Sequence, residues 1–147
     1  MEMRPPRPLR TRLAVRDSVD SEKAEVRMQN AEKDLVQRTK MFARRMIRLY
    51  CALPKHDGAA QVLGKRALRS GTSVRANYRE ARRGRSKAEF ISKIGDCLKE
   101  ADETLYWLEL IAGENIVAAK RLESLLDEAD ELVAIFTTIS KRARGDA

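Results

Sequence analysis

The sequence predicts an all-α protein, an antiparallel up-down four-helix bundle. Apolar residues recur in steps of three and four along most of the 147-residue chain, the spacing of one buried helix face. Helix breakers are few, because three of the four prolines fall within the first eight residues. Pro54, Gly84 and Gly113 divide the rest into four segments. Short connections cannot return the chain to its starting end, so successive helices pack antiparallel.

The boundaries of these segments follow from local signals. Pro54 stops the first helix, and Ser86 followed by Glu89 forms a capping box that begins the third. The Pro- and Arg-rich start of the chain has no lasting apolar period and is interpreted as a disordered or loosely attached tail. The predicted tail and the four bundle helices cover residues 1–29, 30–53, 59–83, 87–112 and 116–143.

The second helix has a small and partly polar seam. Ser73, Asn77 and Glu80 lie one turn apart on one side, and Asn77 falls on the inward seam. A buried amide needs hydrogen-bond partners and can fix the register between helices. We therefore interpret these three residues as a structural polar seam, with direct ligand contact as the alternative.

Charge is distributed unevenly along the chain. The net charge is +8, made up of +2 in residues 1–29, +11 in residues 30–85 and −5 in residues 86–147. Clustered basic side chains bind phosphates, so the outward basic residues of the first two helices are predicted to bind nucleic acid with low sequence specificity. The alternatives are contact with the acidic face of another copy, or plain solvation. The predicted binding residues are Lys40, Arg44, Arg48, Lys65, Arg69, Arg75, Arg79, Arg82 and Arg83.

The third helix carries a second apolar stripe beside its main one. A single bundle does not need this much apolar surface, and exposed apolar area marks interfaces. The predicted oligomer contacts are Ile47, Ile91, Leu98 and Leu105.

No catalytic, metal or cofactor site is predicted. His56 is the only histidine, the two cysteines are far apart, and no P-loop or Ser-His-Asp set occurs. No apolar run is long enough to span a membrane, and no signal sequence is evident. We expect a cytoplasmic protein that is not an enzyme and has no small-molecule substrate.

Residues 69–81 (RSGTSVRANYREA) and 85–90 (RSKAEF) resemble the signature of a bacterial family of four-helix-bundle proteins encoded in intervening sequences of large-subunit ribosomal RNA genes. The resemblance spans residues 30–143, although Ala81 stands where Gly is usual and Arg75 where Pro is common. The residues that match the family pattern are Arg69, Ser73, Asn77, Glu80, Ser86, Glu89 and Phe90.

This family is similar in turn to the accessory variability proteins of diversity-generating retroelements, which are basic homopentamers that engage nucleic acid and a reverse transcriptase. The resemblance implies a ring-like homo-oligomer, a pentamer, that binds RNA or DNA and assists a reverse transcriptase or a ribonucleoprotein. The alternative is a protein–protein scaffold without nucleic-acid contact.

Overall fold

The computed structural model describes residues 10–145, and the side chains of residues 18–23, 25–27, 29 and 33–145. This part of the chain forms helices and no strand, which confirms the all-α prediction for it. The helices are α1 (Arg10–Ala52), α2 (Gly58–Arg82), α3 (Lys87–Gly113) and α4 (Ala119–Ala143).

The first helix is longer than the sequence predicted. α1 begins at Arg10 rather than near residue 30, so residues 10–29 of the predicted tail are helical, while residues 1–9 lie outside the described part of the chain. The chain divides into two compact units between Leu35 and Val36. The first unit contains the start of α1, where Val19 and Val26 are exposed. The second contains the rest of α1 together with α2, α3 and α4.

Side-chain caps fix where α2 and α3 begin. An Asp57 carboxylate oxygen accepts a hydrogen bond from the backbone N–H of Ala60 at 3.0 Å, which satisfies one orphan donor of α2. The hydroxyl of Ser86 accepts from Glu89 N–H at 3.1 Å, and the Glu89 carboxylate reaches back to the N–H of Arg85 at 2.7 Å. The predicted start of α3 by reciprocal capping is confirmed, with the return bond one residue earlier than usual.

The end of α3 is a Schellman motif centred on Asn115. The N–H of Ile116 donates to the carbonyl of Ile111, and that of Asn115 donates to the carbonyl of Ala112, both at 3.1 Å. Asn115 has a φ of 53°, the left-handed conformation this motif requires and asparagine tolerates.

α2 and α3 pack against each other in an antiparallel arrangement. Glu80 pairs with Lys93 at 2.6 Å, and the Ser70 and Thr104 hydroxyls lie 2.8 Å apart near the other end of the interface. Ser70 and Thr104 are both fully buried, and Thr104 also donates to its own helix. This hydroxyl pair is the buried polar link between helices.

α1 packs against α2 in the opposite direction, through glycines. A Cβ at Gly71 would overlap the side chain of Met46, and one at Gly64 would overlap Leu53. The two glycines are seven residues apart, and so are their partners, so the close approach extends over two turns. Close contact of this kind requires residues without a side chain.

The core differs from the predicted seam of α2 at Asn77. Tyr78 is buried, and its ring lies 5.9 Å from that of Phe136 on α4. Asn77 is only half-buried, and its amide nitrogen donates to the carbonyl of Ser73 in the same helix at 3.0 Å. The prediction of a buried Asn77 is therefore wrong, because the bulkier Tyr78 occupies the inward position.

Within residues 10–145, no helix combines the length and apolar character needed to cross a membrane.

Candidate nucleic-acid interface

The part of α1 and α2 that carries most of the predicted binding residues is almost free of negative charge. Residues 36–79 hold eleven Lys or Arg residues and one acidic residue, Asp57. Asp57 lies between α1 and α2 and caps α2. Any positive side chain of this segment that finds a carboxylate must therefore find it on another part of the chain.

Two arginines of α1 reach α4. The Nε of Arg38 donates to Glu128 at 2.9 Å, and its guanidinium also pairs with Glu131. The hydrogen bond to Glu128 is the main cause that raises the pKa of Arg38. Arg45 donates to the Ser124 hydroxyl at 3.0 Å. Both guanidinium groups are therefore bonded to side chains of α4.

Arg69 of α2 is bonded in a similar way to two carboxylates of α3. Its Nη2 lies 3.1 Å from Glu103 and 3.3 Å from Glu100. Hydrogen bonds to Glu103 and then Glu100 raise the pKa of Arg69. Arg69 belongs to the predicted nucleic-acid set, but the structure places its guanidinium on two carboxylates of its own chain.

An aromatic side chain completes this cluster. Trp107 Nε1 donates to Glu103 at 3.3 Å, and the guanidinium of Arg66 lies 5.2 Å from the centre of the Trp107 ring. Burial acts to raise the pKa of Glu103, but hydrogen bonds from Trp107 and Arg69 outweigh it, so that the pKa is lowered. Glu103 is therefore held as a carboxylate.

Six other residues of the predicted basic set are free of such partners. These residues are exposed, and no ion pair joins any of them to another described residue. They are Lys40, Arg44, Arg48, Lys65, Arg79 and Arg82. We call these six the free cations.

The packing register fixes the levels at which the free cations of α1 and α2 lie along the helix axes. Because Met46 lies at Gly71 and Leu53 at Gly64, residue 75 of α2 lies level with residue 42 of α1. Lys40 and Arg44 are two residues either side of that level, about 3 Å along the helix axis. Free cations of α1 and α2 therefore lie at overlapping levels along the two helices.

Arg75 lies between Lys65 and Arg79 along α2 but differs from these two exposed cations. It was predicted to point outward, whereas it is half-buried. Its Nη1 atom is enclosed and has no hydrogen-bond partner among the described residues. Arg75 is thus partly desolvated and is not neutralised there.

Arg83 lies at the edge of the set. It is exposed, and it lines an open depression at the α2–α3 connection. Glu80 and Glu89 line the same depression, so the local charge is mixed. Of the predicted polar seam, Ser73 donates to the carbonyl of Arg69 at 2.6 Å within α2, and Glu80 pairs with Lys93 of α3.

The predicted oligomer contacts are unequally exposed. Ile47 is 47% exposed, whereas Ile91, Leu98 and Leu105 are half-buried on α3, which packs against α4. Val62, which is 56% exposed, and Tyr106, which is 53% exposed, are not among the predicted oligomer contacts. Neither follows from the seam pattern, since both lie outside it.

Among the described residues, no group of three or more His, Cys, Asp or Glu is placed to hold a metal ion. Cys51 is exposed, while burial raises the pKa of Cys97 to about 12.

Known proteins place the chain in a family. The model of the 23S rRNA-intervening sequence proteins matches residues 31–138. A crystal structure from Bacteroides thetaiotaomicron, described as a protein with unknown function from the S23 ribosomal protein family, is 36% identical, with a TM-score of 0.69. The match covers 75% of this chain and 97% of that one. No curated protein matches the sequence. Neither description names an enzymatic activity. The chain belongs to the 23S rRNA-intervening sequence protein family.

Proposed function

We propose that this protein is a non-enzymatic accessory protein that binds nucleic acid, RNA in the first place, through the basic face of α1 and α2. The observation that carries the proposal is the set of six free cations on α1 and α2, which are exposed and have no carboxylate partner among the described residues. Unpaired surface cations attract a phosphate backbone and release its counterions on binding. The family description, which refers to 23S rRNA, favours RNA over DNA as the ligand.

Sequence specificity is expected to be low. Reading of single-stranded bases needs exposed aromatic rings or side chains that reach base edges. On α2 the ring of Tyr78 is buried, and on α1 the Tyr50 hydroxyl lies 3.3 Å from the side chain of Gln61. The basic face therefore offers contacts to phosphates rather than to bases.

We further propose that the second unit is an antiparallel four-helix bundle that assembles into a ring-like homo-oligomer. Exposed apolar side chains, Ile47 on α1 and Tyr106 on α3, suit a head-to-tail contact between copies that can close into a ring. A ring repeats the binding face and raises the overall affinity. A pentameric ring size and a reverse transcriptase partner stay predictions.

A direct binding assay tests the nucleic-acid proposal. Wild-type protein should shift generic RNA, and more weakly DNA, in gels run near 50 mM salt, with a steep loss by about 200 mM. Replacing Arg75, Arg79 and Arg82 with Glu should abolish the shift while circular dichroism shows unchanged helicity. A wild-type protein that shifts neither RNA nor DNA at low salt would refute the proposal. Light scattering tests assembly, since a ring must give a mass several times 16.7 kDa.

The alternative function is a protein–protein scaffold. Val62 and Tyr106 favour it, because large exposed apolar side chains beside a Trp and an Arg are typical of protein interfaces. The Tyr106 ring lies 4.9 Å from that of Trp107, on which Arg66 stacks. Oligomer formation without any nucleic-acid binding would favour this alternative.

A further inference from the structure

Arg75 has a different environment from every free cation. It lies in the second half of α2, one turn after Gly71 and at the level of Phe42 of α1. The exposed cations keep their water, whereas the Nη1 of Arg75 is enclosed and makes no hydrogen bond to a described residue. A buried donor without an acceptor is costly, and more so when it carries charge. Such a group needs an explanation in terms of what it binds.

The neighbouring parts of α1 and α2 supply no carboxylate for this guanidinium. α1 has no Asp or Glu between Val36 and Ala52, and α2 has none before Glu80. Glu80 pairs with Lys93 of α3. Instead, Lys40 and Arg44 of α1 lie near the level of Arg75, and Arg79 follows one turn later, about 6 Å along the axis. The surroundings of Arg75 thus favour an anion and disfavour a cation.

We propose that Arg75 is the anchoring residue of the basic face, and that its half-buried guanidinium shifts on binding so that the unpaired Nη1 becomes accessible and donates to a phosphate oxygen of the bound RNA or DNA strand. This inference rests on the proposed function and specifies one contact within it. A guanidinium offers several donors in a fixed fork that fits phosphate, and a charge-assisted hydrogen bond is stronger where water is partly excluded. The free cations add counterion release around this contact without fixing a position.

The proposal separates the effects of two neighbouring arginines. Arg79→Met removes an exposed phosphate contact and should weaken binding of a single-stranded RNA about fivefold near 100 mM salt. Arg75→Met removes a charged hydrogen bond from an enclosed position and should weaken binding at least about thirtyfold. Arg79→Lys should restore wild-type affinity, because only charge matters there. Arg75→Lys should not, because an ammonium lacks the fork.

The two Met variants should rank in the opposite order in thermal stability, with Arg75→Met the more stable. Removing an enclosed charge that has no partner should raise the melting temperature of the ligand-free protein by roughly 3–6 °C in Arg75→Met. Arg79→Met should leave it unchanged. A gain of stability together with a loss of affinity is the signature of a group held for a ligand, and a purely structural arginine would show the reverse sign.

The experiment compares full-length wild type, the two Met variants and the two Lys variants. Fluorescence anisotropy with a single-stranded RNA gives affinities, and calorimetry in phosphate-free buffer gives melting temperatures. Arg75→Met binding RNA as well as Arg79→Met, or melting below wild type, would overturn the proposal.

A further arm uses inorganic phosphate, which should raise the melting temperature of wild type and not that of Arg75→Met. If wild type binds neither RNA nor DNA but this phosphate effect is seen, the proposed function fails and the anion site at Arg75 stands. Equal phosphate effects in both proteins without nucleic-acid binding would reject the site as well.

Discussion

The division of arginines and lysines into paired and free groups makes a quantitative prediction about salt dependence. Two triple variants remove the same charge, from +8 to +5. The free-cation variant replaces Lys40, Lys65 and Arg79 with Gln. The paired-cation variant replaces the three arginines that contact α3 or α4, which are Arg38, Arg45 and Arg69.

The expected difference follows from counterion release. If about five cations of the face contact a single strand, the slope of log affinity against log salt is about −3.5, so a rise from 50 to 200 mM salt costs roughly 130-fold. The free-cation variant keeps about two contacts, which gives a slope near −1.4 and a loss of only about sevenfold. The paired-cation variant should keep a slope close to that of wild type.

Anisotropy titrations at four salt concentrations measure these slopes, and thermal melts show that both variants are folded. The paired-cation variant should lose some stability, because solvent-exposed ion pairs contribute up to about 1 kcal/mol each. The two variants have equal net charge, so equal slopes would show that binding responds to total charge alone. That result would refute the assignment of the binding face to the free cations.

Three further predictions concern what holds the helices together. Thr104→Val should lower the free energy of unfolding by about 1–2 kcal/mol in urea titrations, because Ser70 loses its buried partner. Thr138→Val is the control, since this hydroxyl is exposed and bonds only within α4. Gly71→Ala should destabilise by about 1–3 kcal/mol through its overlap at α1, whereas Gly95→Ala, which meets nothing within 4 Å, should gain up to about 1 kcal/mol. The lowered pKa of Glu103 predicts a loss of stability in acid, measured by urea titrations at several pH values.

The sign of the acid effect is fixed by linkage. A carboxylate whose folded-state pKa is depressed contributes fully above its ordinary value of 4.5, and this contribution is lost as the pH falls through the lowered pKa. Arg69→Gln should flatten that part of the profile. An identical profile in this variant would count against the Arg69–Glu103 pair, just as equal costs for Thr104→Val and Thr138→Val would count against the buried hydroxyl link.

The later helices were predictable because their ends are fixed by local chemistry. Ser86 and Glu89 cap α3 through bonds that span three or four residues, so the sequence alone contains the signal. The start of α1 at Arg10 carries no such signal. The period of apolar residues that marks a helix arises from burial on one side, and it is weak before residue 30. Tertiary information was missing there, and helix propensity without a period gave no boundary.

The misplaced seam of α2 has a geometric origin. From Val74 to Ala81 the chain advances seven residues, and either Asn77 or Tyr78 can be the intermediate inward position. Both spacings fit a helix of 3.6 residues per turn equally well. What decides is the space opposite, where α4 presents Phe136 to the larger ring. That space is a property of packing, so the pattern of α2 alone could not supply it.

The basic face was predictable as a charge pattern, but the partners of its members were not. Arg69 and Arg79 look alike in the sequence, being outward residues of one helix. Only the register between α2 and α3 brings Glu100 and Glu103 to Arg69. The half-burial of Arg75 depends similarly on how closely α1 approaches α2 at Gly71. Sequence could therefore place the face, while packing decides which cations remain available.

The acidic helices would therefore act on the proposed binding face in two ways that differ in range. At close range their carboxylates neutralise Arg38 and Arg69, which removes these residues from the face. At long range their outward acids lie across two helix layers, and with interaxial distances of 8–10 Å they are roughly 20 Å from a strand bound on α1 and α2. The Debye length is about 8 Å at physiological salt, so this repulsion is largely screened. The net charge of +8 thus understates the attraction a phosphate backbone meets at the free cations.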